Sequence, residues 1–271
     1  MAGVQNFALR INEDGFVLMP GIDQNLDRTS GAGHPNPMEE HSVKRHPLGT
    51  VLWDPSGGRM WKYALNGGVA LIAGGLVQSK VPTSGHENIA CGTEPAGETT
   101  ISVTPVTGNV IVDSYDEGFL YANDGQGEGE LHRILTTPAI TASAAGNIEL
   151  YANDPIVTAF EAGTLVTLHF HPYSAVIVHP SPNTAAIVGC PNIPVTADYY
   201  FWAQVSGPCP VLGEGTLTIG EHVRASDASL DGSVEALIRA GSSEDEQDGG
   251  VVMNVGATTD MSLIQLTIAA A

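Results

Sequence analysis

Short alternations of apolar and polar residues recur along this chain, and they predict strands rather than helices. The clearest lies at Tyr199–Val234, where the aromatic run Tyr199–Val205 is followed by short apolar pieces that glycines separate. Aromatic and β-branched residues favour a pleated, half-buried surface, and closely spaced glycines supply the positive φ angles of tight turns. Similar alternations occupy Thr164–His179 and Ser262–Ala270. The pattern predicts a mainly β fold of short antiparallel strands and hairpins, in β-sandwich or β-barrel-like modules.

Residues 48–78 have the pattern of a hairpin. Val51–Trp53 predicts one strand, and Met60–Leu65 predicts the returning strand. Between them, Asp54–Gly58 reads Asp-Pro-Ser-Gly-Gly, which is typical of a turn.

Two short helices are also predicted. At Pro37–His46, Asn36 would be the cap and Pro37 the first helical residue. The second would be one or two turns at Pro155–Ala162, ended by Gly163.

Three regions follow from the distribution of glycine and proline. Residues 1–47 predict an extended N-terminal arm, either a mobile terminus or a segment that orders against a neighbouring subunit. Residues 48–188 predict a β-rich core domain. Residues 189–271, which Pro191 and Pro194 set off, predict a small C-terminal β-barrel-like module.

One five-residue sequence occurs twice. Leu120–Asp124 and Leu150–Asp154 both read Leu-Tyr-Ala-Asn-Asp, but the residues that follow them do not match. With two copies and different flanks, we interpret them as similar strand ends or as chance rather than as a repeat fold.

The charge of the chain narrows the classes of partner. Ten basic residues stand against 30 acidic ones, so the formal net charge of the 271 residues is -20. Nucleic-acid affinity comes largely from Lys and Arg displacing counterions, so we expect no nucleic-acid partner. Anionic membrane surfaces are disfavoured for the same reason, and we expect no membrane partner.

The three cysteines, Cys91, Cys190 and Cys209, lie far apart and form no Cys-x-x-Cys pair. They are therefore expected to be buried free thiols rather than a disulfide framework or a zinc site. Met1–Leu9 lacks the features of a signal peptide, and the apolar stretch at Val69–Val77 is too short to span a bilayer. We expect synthesis in a cytosol.

Three blocks carry a resemblance to a known family. They are Leu48–Ala64 with Gly75–Gln78, Glu117–Ile134 with Leu150–Val157, and Tyr200–Pro208 with Val211–Leu212 and Ile219–Gly220, and Val255–Ala257 adds to them. In these blocks the chain resembles the head decoration, or capsid cement, proteins of tailed bacteriophages. The similarity touches roughly half of the chain.

The resemblance implies a virion structural protein on the outer capsid surface, made in the host cytoplasm, with no catalytic residues and no cofactor. Its partners would be the major capsid protein and copies of itself, with a trimer as the expected assembly. A strongly acidic chain fits the outside of a capsid better than the inside, which faces packaged DNA. A head fibre, tail or receptor-binding subunit is the alternative within the same structural class.

The strongest candidate metal site is His169-Phe170-His171, because residues two apart on a strand face the same side. His179 could be a third ligand, which leaves open a cupin-like metal-dependent enzyme as a function of a different class. However, no Glu or Asp follows within Pro172–Val178, where a cupin carboxylate would stand. We therefore expect no metal, with these histidines hydrogen-bonded to the backbone or facing solvent.

Four large aromatic residues could anchor a protein interface: Trp53, Trp61, Tyr63 and Trp202. In strands such residues are usually interface anchors or part of the core, although their rings could also stack on sugars.

Two further patterns are candidate ligand sites, one for phosphate and one for calcium. The glycines of Gly125–Gly129 precede a predicted strand rather than a helix, so they lack the helix N-terminus that a phosphate loop needs. Asn123, Asp124, Glu128 and Glu130 could offer oxygen ligands to calcium, as could Glu244, Asp245, Glu246 and Asp248. Neither group has EF-hand spacing, so we interpret both as solvated loops.

Overall fold

Antiparallel strands make up almost all the regular structure, which confirms the mainly β fold that the alternations predict. The computed structural model describes residues 10–11, 17–19, 35–182, 184–237, 247–257 and 259–268. The described residues contain one helical element, a single 3-10 turn at Ser84–His86. None of their helices is long and apolar enough to cross a membrane.

The chain divides into two compact units. The sheet unit comprises residues 1–80 and 173–271, and the barrel unit comprises residues 81–172. This division differs from the predicted one, whose boundary at residues 188 and 189 falls inside the sheet unit. The reason is strand pairing, because Tyr200–Leu212 forms a ladder with Arg59–Leu65 far earlier in the chain.

The sheet unit contains twelve of the strands in one open sheet. They are β1 (Arg10–Ile11), β2 (Val17–Met19), β3 (Val51–Asp54), β4 (Arg59–Leu65), β5 (Val77–Gln78), β12 (Ile177–Val178), β13 (Ile187–Pro191), β14 (Tyr200–Leu212), β15 (His222–Ala225), β16 (Val234–Ala236), β17 (Asp248–Asn254) and β18 (Met261–Thr267). Along the main path the order is β1-β2-β3-β4-β14-β18-β17-β15-β16, and β5, β12 and β13 branch from β14.

The 13-residue strand β14 organises this sheet. Its first half pairs with β4 and its second half with β18. The change of partner needs a bend, and the register shifts between Gln204 and Ser206. Gly207 follows with a φ of 86°, and a Cβ there would collide with the carbonyl oxygen of Gly58. Only glycine fits both the positive φ and the close approach.

The core of the sheet unit consists of three clusters. One lies among β13, β14, β15, β17 and β18 and contains Val211 and Ile264; a second contains Phe201 and Val205. The third consists of Leu52 with three of the large aromatic residues that the sequence singles out. Removing this apolar surface from water is the main force that holds the open sheet in one arrangement.

The barrel unit is a closed six-stranded antiparallel barrel. Its strands are β6 (Ile89–Cys91), β7 (Thr100–Thr104), β8 (Phe119–Asp124), β9 (Leu131–Thr136), β10 (Gly146–Leu150) and β11 (Leu165–His169), in the order β10-β7-β6-β11-β8-β9. The pairing of β10 with β9 closes the ring, so no strand edge is left open.

Alternation along each barrel strand fills the interior. Leu120 and Ala122 of β8, Ile134 of β9, and Val166 and Leu168 of β11 all point into one buried cluster. The residues between them therefore point away from this interior. They include Tyr121, which is partly exposed, and Thr167, which is buried and whose hydroxyl bonds the Asn88 amide and Asn123.

The predicted helix at Pro37–His46 is wrong. Asn36 does cap a turn, because its Oδ1 accepts the Met38 amide at 2.9 Å and its carbonyl accepts the Glu39 amide. The chain then extends, and His41 exchanges two 2.8 Å backbone hydrogen bonds with Tyr200 of β14. Pairing with the sheet satisfies the backbone that a helix would otherwise have satisfied.

The predicted helix at Pro155–Ala162 is wrong for the same reason. The amides of Ile156 and Phe160 donate to the carbonyls of Glu98 and Glu94, and those of Val157 and Thr158 donate to the Glu130 carboxylate. The segment is an extended loop that lies against the barrel.

Candidate functional site

All four predicted interface aromatics belong to the sheet unit, and three of them are buried in its core. Trp61, Tyr63 and Trp202 are buried and pack with Leu52. Only Trp53, whose side faces away from this cluster, is 37 % exposed. The structure therefore leaves Trp53 alone among the four available for a surface contact.

The buried rings are also tied down by polar contacts. The indole Nε1–H of Trp61 donates to Asn192 Oδ1 at 2.7 Å, and the Tyr63 hydroxyl accepts the Arg45 amide at 3.1 Å. Burial raises the pKa of Tyr63 to about 12. Tyr200 stacks on Tyr63 with ring centroids 5.7 Å apart. These contacts hold the aromatic rings in the core of the sheet unit, where they stabilise the fold.

The three histidines of the predicted metal candidate fall in different units. His169 and His171 belong to the barrel unit, and His179 belongs to the sheet unit. His169 Nδ1 donates to the Phe170 carbonyl at 2.8 Å. His179 is fully buried, and its two ring nitrogens each lie 2.9 Å from a backbone carbonyl, of Pro180 and of Ser233. Within the described ranges no three His, Cys, Asp or Glu side chains form a group that could hold a metal ion.

The cysteines include a buried pair. Cys190 and Cys209 are buried free thiols, as predicted, whereas the free thiol of Cys91 is only half-buried. Both buried sulfurs lie near the Pro210 carbonyl oxygen, at 4.0 and 3.5 Å. A hydrogen bond between the Cys190 thiol and Cys209, together with burial, raises the pKa of Cys190 well above its ordinary value. Burial raises the pKa of Cys91 to about 12, so neither Cys91 nor Cys190 has the character of a nucleophile.

Two carboxylates of the sheet unit hold loops. Glu214 accepts hydrogen bonds from the hydroxyls of Ser226, Ser229 and Ser233 and from the Leu230 amide. Burial acts to raise the pKa of Glu214, but these donors outweigh it and lower the pKa to about 2. The donors stabilise the ionised form, so Glu214 is suited to bracing a loop rather than to proton transfer.

Asp54 closes the β3–β4 turn in the same manner. It accepts from the Ser56 hydroxyl, the Gly57 amide and the Arg59 guanidinium, the last at 2.9 Å. Burial opposes ionisation, yet these donors lower the pKa of Asp54 to about 2. The turn that the sequence predicts is therefore fixed by a charged network.

In the barrel unit a buried histidine joins two carboxylates. His132 Nδ1 lies 3.2 Å from Asp154 Oδ1, and its Nε2 lies 3.1 Å from Glu130 Oε2. Asp154 also accepts the Arg133 amide at 2.7 Å. The five-residue sequence that occurs twice thus has two structures, because Asp124 is an exposed strand end whereas Asp154 holds a turn against His132. This agrees with the interpretation that the two copies form no repeat fold.

The oxygen-ligand candidates do not come together. Asn123 bonds Asn88 and Thr167, and Glu130 accepts the amides of Val157 and Thr158. In the second acidic group, Asp248 pairs with His222 at 2.8 Å, and Glu244, Asp245 and Glu246 lie outside the described residues.

The glycine-rich segment Gly125–Gly129 is a turn that leads directly into β9, so no helix N-terminus follows it. Gly125 and Gln126 line a shallow, open depression of about 400 Å³ together with Glu161–Thr164. Its charged side chain is an acid, Glu161, which does not suit a phosphate.

The outer surface of β11, β8 and β9 carries an aromatic and apolar patch that sequence reasoning did not assign. Cross-strand pairing places His169 beside Phe119 and Phe119 beside Arg133 in one row, and Tyr121 beside Leu131 in the next. We call these five residues the barrel face. All are partly exposed, and Leu131 is 57 % exposed.

Two flanking rings extend the barrel face. His171 stacks on Phe119 with ring centroids 6.1 Å apart and planes 19° apart. On the other side, the guanidinium of Arg133 lies 4.6 Å from the centroid of the Tyr151 ring, within cation–π range. The row of histidine, phenylalanine, arginine and tyrosine side chains therefore continues across four segments of the barrel.

Arg133 is the only basic residue of the barrel unit apart from its histidines, against twelve acidic residues. Nevertheless, its guanidinium forms no ion pair with any carboxylate in the described part of the chain. The sequence did contain a signal for this face: Phe119 and Tyr121 alternate with Leu120 and Ala122, as rings on the outside of a half-buried strand would. Comparison with family models, curated proteins and solved structures found no match to this chain.

Proposed function

We propose that this chain is a virion structural protein that binds the outside of an assembled tailed-phage capsid and decorates or stabilises it. The observation that carries the proposal is the barrel face, an aromatic and apolar contact surface with one arginine on an otherwise acidic β-barrel. Protein interfaces are enriched in aromatic residues and arginine. The resemblance of the β3–β4, β8–β9 and β14 segments to capsid decoration proteins names the class of partner.

The mechanism is binding energy, and it includes no catalytic step and no cofactor. A protein that binds only the assembled capsid stabilises that state by mass action. A specific footprint buries on the order of 1,600 Å², and contact with several coat subunits at once multiplies the effect through effective concentration.

The proposed partners are the major capsid protein and further copies of this chain, with a trimer as the proposed assembly. The net charge of -20 supports a location on the outer surface, because packaged DNA would repel the chain on the inner one. The same charge keeps a protein soluble at the high local concentration of a capsid surface.

The experiment compares capsids of the virus that encodes this chain, assembled with and without it. We expect the decorated particles to retain their DNA at higher temperature and at lower salt than the undecorated ones. A bare capsid with equal resistance, to which the purified chain does not bind, contradicts the proposal. If the chain binds the capsid but does not increase its resistance to heat or low salt, the chain decorates the capsid without stabilising it.

A further inference from the structure

We propose that the barrel face is the docking surface of this chain, and that its partner is a protein surface that is positively charged overall and supplies one carboxylate to Arg133. The inference rests on the proposed function, in which that protein is the major capsid protein. It adds which surface of this chain makes the contact and which chemistry the partner must have.

The side chains of the barrel face are those that carry binding energy in protein interfaces. Tyr121, Phe119 and Arg133 belong to residue types enriched there, and Leu131 adds exposed apolar area beside Tyr121. Neighbouring strands lie about 4.8 Å apart, so the rows across β11, β8 and β9 span roughly 10 Å. That is the size of an anchor cluster at the centre of an interface.

The rings of this patch are held in place before any partner arrives. Phe119 is fixed by the β8 ladders on both sides and by the His171 ring stacked on it. Arg133 is fixed by its strand and by the Tyr151 ring. Side chains that are ordered in the free protein lose less conformational entropy on binding.

Arg133 specifies the local chemistry of the partner. Its guanidinium contacts a ring, and no carboxylate of the described residues pairs with it. A guanidinium presents planar N–H donors that match a carboxylate in a bidentate pair. An aspartate or glutamate of the partner would therefore complete the contact at the centre of the face.

The surrounding charge specifies the rest of the partner. The barrel unit has twelve acidic residues against this one arginine, so its long-range field repels an acidic protein and attracts a basic one. A second copy of this chain, with a net charge of -20, is disfavoured at this face. Lys and Arg residues of the partner would be attracted to the acidic barrel unit while its single carboxylate meets Arg133.

The test measures binding of purified chain to undecorated capsids of the same virus, by co-sedimentation or by a surface binding assay. Leu131→Ser, Tyr121→Ala and Arg133→Gln are each expected to weaken binding by about tenfold or more. Arg133→Lys keeps the charge but loses the bidentate geometry, so its loss should be intermediate. The matched control is Val106→Ala, which removes an apolar side chain that is 58 % exposed on the same unit but lies outside the barrel face. It should bind within about twofold of the wild type.

Ionic strength tests the charge of the partner. The association rate of the wild type should fall as salt rises from about 0.05 M to about 0.3 M, because screening weakens steering by the acidic charge of the barrel unit. A rate that rises or does not change with salt contradicts a basic partner surface.

The outcomes separate the two proposals. If the wild type binds and all three face variants bind equally well, the barrel face is not the docking surface, while the proposed function stands. If the wild type does not bind capsids, the proposed function fails and the inference fails with it. Circular dichroism checks the fold of each variant. If Arg133→Gln does not fold, binding of Leu131→Ser tests the docking surface instead, because Leu131 is largely exposed and outside the core.

Discussion

The sheet unit and the barrel unit share antiparallel β structure but use their aromatic side chains differently. In the sheet unit, Trp61, Tyr63 and Trp202 are buried in one cluster. In the barrel unit, Phe119 and Tyr121 lie outside a core that is complete without them. The role of an aromatic residue in a predicted strand therefore depends on the face of the strand it occupies. On the covered face its ring stabilises the fold, and on the exposed face the ring remains available for a partner.

The two units differ in the same way in their use of charge. The sheet unit has nine Lys and Arg residues against eighteen acidic ones, and the barrel unit has one against twelve. In the sheet unit, Arg59 pairs with Asp54, and the buried Arg224 lies 2.9 Å from Glu235. In the barrel unit, the Arg133 guanidinium lies over the Tyr151 ring and forms no ion pair with a described carboxylate. Arg59 and Arg224 thus serve the fold of the sheet unit, whereas Arg133 is available at the surface of the barrel unit.

The test of this contrast with the largest expected effect is to truncate one aromatic residue in each unit. Trp61→Ala should lower the free energy of unfolding by about 3–5 kcal/mol, because it leaves a cavity in the buried cluster and removes the N–H donor to Asn192 Oδ1. Tyr121→Ala should change it by only about 0.5 kcal/mol, since the ring lies outside the core. Urea unfolding followed by far-UV circular dichroism measures both.

Trp61→Phe is the control for this pair, because it keeps most of the buried apolar area and should cost less than Trp61→Ala. Equal losses from Trp61→Ala and Tyr121→Ala would mean that the barrel face is part of the folding core. That result would remove the distinction between the two units.

A second test uses the five-residue sequence that occurs twice in the barrel unit. Asp154→Ala removes the acceptor of the Arg133 amide and one partner of His132, so it should destabilise the barrel by about 1–2 kcal/mol. Asp124→Ala, at the matching position of the other copy, should change stability by no more than about 0.5 kcal/mol, because Asp124 is exposed. Hydrogen exchange of peptides from residues 81–172 measures the effect in the barrel unit alone.

The comparison fails if the two aspartate variants lose equal stability. Asp154→Asn helps to locate the cause, because it keeps an oxygen acceptor for the Arg133 amide but removes the charge that faces His132.

Local features of the fold could be predicted from the sequence, whereas long-range pairing could not. The hairpin of Val51–Trp53 and Met60–Leu65 needs only alternation and the turn between them, and the structure contains it as β3 and β4. The pairing of β4 with β14 joins segments more than 130 residues apart, and many strands of similar pattern compete for each place. The boundaries of the barrel unit, at Val81 and Pro172, differ from those predicted from glycine and proline, at residues 47–48 and 188–189.

The same limit applies to the candidate site. Alternation in β8 indicates that Phe119 and Tyr121 share one face, but their meeting with Arg133 depends on the register between β8 and β9. Spacing alone suggested that His169 and His179 could share a metal. The chain passes from the barrel unit to the sheet unit between them, so a short separation in sequence did not place them in one unit.

Acid should act on the sheet unit through Glu214. Its pKa is lowered from 4.5 to about 2 in the folded chain, so its contribution to stability is present above about pH 4.5 and is lost as the pH falls towards about 2. Glu214→Gln should cost about 1 kcal/mol at neutral pH, a figure reduced for solvent screening because the side chain is half-buried. The difference between wild type and variant should shrink between pH 4.5 and pH 2. Tryptophan fluorescence measures it, because Trp53, Trp61 and Trp202 all belong to the sheet unit. A difference that stays constant over this range would mean that the Ser226 and Leu230 hydrogen bonds to the carboxylate do not control its ionisation.

The test with the smallest expected effect measures how salt changes the stability of each unit. It tests the charge contrast between the units directly. Twelve acidic residues with one arginine repel one another within the barrel unit, so salt should stabilise it more than the sheet unit, where half as many cations as acids are present. Raising the salt from about 0.01 M to about 0.15 M shortens the screening length from roughly 30 Å to roughly 8 Å, and we expect a gain of about 0.5 kcal/mol in the barrel unit. Hydrogen exchange resolves the two units by peptide, with sucrose as an uncharged control for general solvent effects. Greater protection by salt in peptides of residues 35–80 and 184–237 than in those of residues 81–172 would show that the acidic side chains of the barrel are spaced too widely to repel one another. In that case, the field that is proposed to select a basic partner would be weak as well.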